Sequence, residues 1–185
     1  TRDRLYVFTK DKVYYITIEI SSAGTEVFSV DRVFSNNYGA PNPFCVKEVE
    51  DFVVFFTGSR LIKIGYDPEN HQLLPSEKFD EEVYPVLNTM RKYTQTNARM
   101  HYFPHEKKLR LTGNIDNILK TITYDNRLDK YSYPDDHDVS YWASFNGYSY
   151  FGEPDDDVVH RIGKDIEGAS LPIAHELWTG QYDLG

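Results

Sequence analysis

Cysteine occurs once in the 185 residues, at Cys45. A disulfide framework is therefore excluded, as is a zinc site built on several thiolates. Cys45 lies in the apolar run Phe44-Cys45-Val46, where it reads as a small core residue rather than a nucleophile. Basic residues are also in short supply: 20 Lys and Arg face 29 Asp and Glu, for a net charge of -9. That balance excludes wrapping nucleic acid by its phosphates, which needs a basic footprint. It suits a surface that keeps polyanions away. No stretch approaches the roughly 20 apolar residues of a membrane-spanning helix, so no membrane partner is expected. A signal-peptide pattern is missing too. The chain begins at Thr1, straight into a strand-like run, and its true N-terminus is expected to lie upstream.

Aromatic residues are plentiful. They make up 15% of the chain, with 15 Tyr and 11 Phe, whereas the helix formers Ala and Leu are sparse by comparison. Aromatic and β-branched side chains fit a pleated, half-buried surface. With 40% hydrophobic and 26% charged residues the composition is that of a globular domain with its own core.

A hairpin grammar recurs along the chain. Residues 5–16 read LYVFTKDKVYYI, two apolar runs around Thr9-Lys10-Asp11-Lys12. Residues 53–64 read VVFFTGSRLIKI, turning at Thr57-Gly58-Ser59-Arg60. Residues 109–122 read LRLTGNIDNILKTI, with the turn expected at Gly113-Asn114-Ile115-Asp116-Asn117. Residues 148–162 read YSYFGEPDDDVVHRI, turning through Gly152 to Asp157. Gly, Asn, Asp and Pro supply or fix tight-turn dihedrals, which is why they collect between the apolar runs. The units start about 40–55 residues apart, the spacing of propeller blades. Phe28–Phe34, Phe44–Val49, Val139–Phe145 and Pro172–Trp178 read as further strands, enough for sheets of about four strands per unit. The expectation is an all-β chain: a β-propeller, or a propeller fragment of about four antiparallel hairpin units, forming one domain over 1–185 within a longer protein. Residues 76–90 break the pattern. Phe79, Val83, Leu87 and Met90 fall at helical spacing, but Pro85 is expected to end or kink a helix there, leaving a short helix or an irregular excursion between blades.

Candidate chemistry is sparse. Asp155-Asp156-Asp157 offers oxygen ligands, but lacks the alternation, central Gly and distal Glu of a calcium loop, and reads as a solvated turn. Asp135-Asp136-His137-Asp138 follows the turn signal Tyr133-Pro134 and reads as an exposed loop. His101 and His105 are four apart, yet Pro104 lies between them in strand-like surroundings, so helical spacing does not bring them together. Trp142, on an alternating strand, reads as core or inter-blade packing; Trp178 lies near the chain end. The G-x-S-x-G elbow, the P-loop, H-E-x-x-H and G-x-G-x-x-G are all absent. The 29 acidic residues nominate no particular carboxylate pair. No catalytic, metal or cofactor-binding residue is assigned; the chain is expected to be no enzyme and to carry no cofactor.

An ordered set of motifs carries a resemblance. The hairpin LYVFTKDKVYYI is followed by Tyr38-Gly39-Ala40-Pro41, then Phe44–Phe56 and a hairpin ending Leu61-Ile62-Lys63-Ile64. A strand pair closes on Ile122-Thr123-Tyr124-Asp125. Tyr150-Phe151-Gly152 precedes an acidic turn, and the end reads Trp178-Thr179-Gly180-Gln181-Tyr182-Asp183-Leu184-Gly185. In this order the chain resembles the propeller-bearing virion proteins of tailed phages, the neck, nozzle and DNA-stabilisation components of the tail. It departs from them in an Asp-rich last turn, where Gly is usual, and in lacking Trp after Tyr124-Asp125. The resemblance implies a structural role in a tail or neck ring within the virion. The implied partners are other virion proteins and further copies of the chain, with packaged DNA passing nearby and not bound specifically. It transfers no catalytic residues. The alternatives are a carbohydrate-binding or carbohydrate-active propeller and a protein-binding scaffold propeller.

Overall fold

The computed structural model describes residues 4–32, 38–67, 72–76, 78–90, 98–115, 118–132, 139–153, 159–162 and 171–172. They form four antiparallel sheets, each a meander in which sequential strands are neighbours. The first sheet holds β1 (Arg4–Phe8), β2 (Val13–Ile20) and β3 (Glu26–Arg32). The second holds β4 (Val46–Val49), β5 (Phe52–Phe56), β6 (Leu61–Asp67) and β7 (Gln72–Ser76). The third is β8 (Arg99–Phe103), β9 (Lys108–Ile115), β10 (Ile118–Asp125) and β11 (Lys130–Tyr131). The fourth is β12 (Tyr141–Phe145), β13 (Tyr148–Gly152), β14 (Val159–Ile162) and β15 (Leu171–Pro172). Among the described residues none of the sheets closes on itself.

The expected hairpins are present at β1–β2, β5–β6, β9–β10 and β13–β14. The first two share one device. Thr9 donates its backbone N–H to the Lys12 carbonyl, while its hydroxyl accepts the Lys12 N–H at 2.9 Å. Thr57 does the same with Arg60, at 2.8 and 3.1 Å. A threonine closing the strand thus satisfies turn groups that a bare apolar residue would leave open. In β9–β10 the ladder runs further than the turn residues suggest. Gly113, Asn114 and Ile115 pair with Lys120, Leu119 and Ile118, so the connection is only two residues long. A Cβ at Gly113 would meet the terminal methyl of Met90, so the glycine leaves room for that side chain as it is placed. β12 and β13 form a further hairpin across Asn146-Gly147, both at positive φ, the conformation a tight hairpin turn requires. Of the extra strands, Phe28–Phe34 matches β3 as far as Arg32, while Pro43–Cys45 is a 3-10 turn and its strand begins at Val46. Residues 173–178 lie outside the described residues.

Side chains alternate across each sheet, so every sheet has two faces. Val13, with Tyr6 and Phe8, packs on Phe55, Ile62 and Ile64 of the second sheet; the Phe8 and Phe55 rings lie 5.2 Å apart. The opposite face of the second sheet carries Phe52, Val54, Phe56 and Leu61, which meet Met100, Leu109, Leu111, Ile122 and Tyr124 of the third. The third sheet's other face meets Trp142 of the fourth, whose ring packs beside Phe151 of the same sheet. The sheets are therefore stacked in chain order, and their first strands β4, β8 and β12 touch in succession.

Residues 76–90 hold an irregular stretch followed by a short helix, one of the two outcomes expected there. β7 ends at Ser76, turns follow, and the helix α1 runs Tyr84–Met90. Pro85 does not end it. Proline is tolerated in the first turn, where its missing N–H has no intrahelical partner to lose. Phe79, Val83, Leu87 and Met90 all reach the core between the second and third sheets, as their spacing implies. Asp80 is fully buried beside them. Its carboxylate accepts the Leu61 N–H at 2.9 Å and an Arg60 guanidinium N–H at 2.9 Å, tying this segment to the β5–β6 turn.

Candidate functional site

The seam between the third and fourth sheets is where polar side chains gather. Arg110, Thr112 and Thr121 alternate on the face of β9 and β10 that turns away from the apolar core. Arg110 is buried, with its guanidinium carbon 4.6 Å from the Phe103 ring centre and 5.4 Å from that of Trp142. One terminal nitrogen donates to Glu106 at 2.7 Å. The other, Nη1, is buried without a hydrogen-bond partner among the described residues. The seam continues through Trp142, whose indole N–H donates to the Thr112 hydroxyl at 2.9 Å, and Thr112 shares a 2.8 Å hydrogen bond with Thr121.

Glu106 sits in the turn between β8 and β9, with His105 beside it. Ser149, fully buried on β13, donates its hydroxyl to Glu106 and lies 3.4 Å from His105 Nε2. That same nitrogen is 3.4 Å from the Glu106 carboxylate. Burial alone would raise the Glu106 carboxyl, but the Arg110 charge and the Ser149 hydrogen bond outweigh it and hold the group below its ordinary range. A serine, a histidine and a carboxylate are thus together without the order that nucleophilic catalysis needs. The histidine should lie between serine and acid, taking the proton from one and being oriented by the other. Here the serine proton goes straight to a carboxylate that Arg110 keeps weakly basic.

A cleft of about 520 Å³ opens over this cluster, lined by His105, Glu106, Lys108, Arg110, Arg127 and the Asn146-Gly147 turn among others. Arg127 is committed to Asp125 through two hydrogen bonds at 3.1 and 2.7 Å, which hold the Asp125 carboxyl at about 2. Of the cleft's charged side chains, His105 and Arg110 lie against Glu106, and Arg127 is held by Asp125.

The residues singled out in the sequence fall at separate places. Cys45 is buried; its thiol donates to the Ala98 carbonyl at 3.4 Å, and burial pushes its pKa up to about 12, so it is no thiolate. His101 faces the fourth sheet from β8, 3.3 Å from the Ser144 hydroxyl. Burial, reinforced by Lys47 and Arg110, pushes its pKa down to about 4. His105 lies at the far side of Phe103, so the two histidines form no shared site. Trp142 is an inter-sheet residue, as its strand position implies. The acidic runs at 135–138 and 155–157 and Trp178 lie outside the described residues. Among the described residues no three of His, Cys, Asp and Glu stand close enough to hold a metal ion, and no helix is long and apolar enough to cross a membrane. Ser149 and Glu106 were not legible as a pair: 43 residues separate them, and neither stands in a recognisable motif.

Neither protein-family models nor curated protein sequences match this chain.

Proposed function

We propose that the chain is a sector of a β-propeller that serves as a structural part of a larger assembly, without catalytic activity of its own. One observation carries the reading. The first and fourth sheets are packed on one face and apolar yet bare on the other. On the first sheet, Leu5, Ile16 and Val30 lie across from one another in register. Ile20 and Phe28 share their face, and exposures reach 62% for Leu5, 76% for Ile20 and 61% for Phe28. On the fourth, Tyr141 and Phe145 point away from the third sheet, 65% and 67% exposed, with Tyr148 beside them. Apolar patches of this kind mark interaction surfaces. Sequential meanders of three and four strands, stacked face to face with the first strands of the last three in contact, form a fan, and a fan with two bare apolar ends is one arc of a ring.

The kind of assembly is a tail or neck ring of a tailed phage, with other virion proteins as neighbours. The ordered motifs from LYVFTKDKVYYI to Tyr150-Phe151-Gly152 support this, and so does the -9 charge, which would keep a passing genome from adhering. A non-catalytic role is supported by the seam cluster, whose serine, histidine and carboxylate are bound to one another. Electron microscopy of the native assembly tests the reading. Wedge-shaped sheets arranged about an axis lined by Val46–Val49, Arg99–Phe103 and Tyr141–Phe145 are expected; sheets arranged as a flat sandwich would overturn it.

A further inference from the structure

We infer that the cleft between the third and fourth sheets is a binding site for a small oxyanion, the phosphate or carboxylate group of a small molecule. The site does not depend on the propeller reading, because a single seam suffices to form it. The cleft's volume of about 520 Å³ lies in the range of small-molecule sites, roughly 300–1,000 Å³. Lys108 and Arg110 of β9 and Arg127 of the turn after β10 line it from the third sheet. The Asn146-Gly147 turn lines it from the fourth.

Positive charge is left over in this cleft. Lys108, Arg110 and Arg127 are permanent cations, and among the described residues the carboxylates set against them are Glu106 and Asp125. Lys108 is half-buried and makes no hydrogen bond or ion pair among the described residues. Its charge nevertheless helps to hold both the Glu106 and the Asp125 carboxyls low, so it lies near both and is bound by neither. Arg110 is 5% exposed, and its Nη1 has no partner among the described residues. Arg127 spends Nε and Nη2 on Asp125, which leaves Nη1 unengaged among the described residues. A buried donor without an acceptor is destabilising, and in folded proteins such a group calls for an ion, a water or a ligand.

The ligand is small because the surroundings repel large polyanions. A net charge of -9 works against a nucleic acid, which also needs a basic footprint several phosphates long. A recess with its own cations is shielded from remote carboxylates over a Debye length of about 8 Å at physiological salt. Glu106 does not oppose the ligand strongly, since Arg110 and the Ser149 hydroxyl already donate to it. A bound oxyanion would join Lys108 and Arg127 to the turn of the fourth sheet and so tighten the polar seam.

The test is a titration of the chain with inorganic phosphate and, separately, with acetate, followed by amide NMR at constant ionic strength with chloride as the reference anion. Saturable shifts are expected at Lys108, Asn146 and Gly147, with a dissociation constant of about 1 mM for a single oxyanion. Saturation by phosphate alone, by acetate alone or by both supports the site and says which group it takes. Lys108→Gln should weaken binding about tenfold, the loss of one charge-assisted contact, and Lys108→Arg should retain it. Since Lys108 has no partner among the described residues, neither variant breaks a side-chain contact of the fold, and unchanged spectra away from the cleft would verify this. Lys10→Gln makes the same charge change in the exposed β1–β2 turn and should leave binding unaltered. The site is overturned if neither anion saturates by about 50 mM, if chloride gives the same shifts, or if Lys108→Gln weakens binding no more than Lys10→Gln. Any of these results leaves the propeller reading standing, since that is judged from the arrangement of sheets about the axis.

Discussion

The seam between the second and third sheets and the seam between the third and fourth use the two faces of one sheet, and they are built from opposite chemistry. Towards the second sheet the third presents Met100, Leu109, Leu111, Ile122 and Tyr124, closed by Leu87 and Met90 of α1. Towards the fourth it presents His101, Arg110, Thr112 and Thr121 around Phe103. The apolar seam is non-directional and tolerates small shifts, because burial energy follows area and not angle. The polar seam is directional. It fixes how the fourth sheet sits, through Arg110–Glu106–Ser149 and Trp142–Thr112, and it fails sharply when one partner is removed.

That contrast can be broken from either side. The largest effect is expected on the apolar seam, where Leu111→Ala should cost about 2–5 kcal/mol through lost burial and a cavity, with the same loss at pH 5 and pH 7 in urea unfolding. Glu106→Gln on the polar seam should cost about 2–3 kcal/mol, since Arg110 is left buried without its counter-charge. Amide exchange would show the loss concentrated in Tyr141–Phe145 and Tyr148–Gly152. A uniform loss over all four sheets would remove the distinction between the seams.

Acid should separate the seams as well. His101 is held down to about 4 from an ordinary value near 6.5 by burial and neighbouring cations. The unfolded chain then binds more protons than the folded one between those values, so stability falls as pH drops from about 6.5 to 4. Glu106, also depressed, adds its own loss as pH falls through its folded value. Both act on the polar seam, with an effect of about 1 kcal/mol for His101 after solvent screening. His101→Phe should flatten the upper part of this dependence; an unchanged pH profile would remove His101 from the account. The smallest effect is expected for Thr112→Val, about 1 kcal/mol, from losing the acceptor of the Trp142 indole. Near-ultraviolet circular dichroism should register the loosened tryptophan.

Much of the fold was legible because its signals are local. Thr9 and Thr57 mark turns where an apolar run ends, and the spacing of Phe79, Val83, Leu87 and Met90 marks the face that reaches the core. Arg99–Phe103 reads as strand-like around His101, but its sequence alone does not show that Met100 and Tyr102 face the apolar core while His101 lines the polar seam. Gly113 looked like a turn residue and is instead a strand residue making room for Met90. Asn146-Gly147 is the strongest hairpin signal in the chain, yet the strand before it and the hairpin after it were read as separate units. The polar cluster was not legible at all. Glu106 and Ser149 meet only because the third and fourth sheets stack, and stacking is written in no local pattern.

The central claim is that the two end faces are covered in the working assembly. Hydroxyl-radical footprinting tests it most directly, comparing oxidation of Phe28, Tyr141 and Phe145 in the native assembly with that in the unfolded chain. The account predicts strong protection of all three in the assembly, to the level of the buried Phe55 and Phe103. Oxidation of these three at the rate of the unfolded chain, with Phe55 and Phe103 protected, would contradict it.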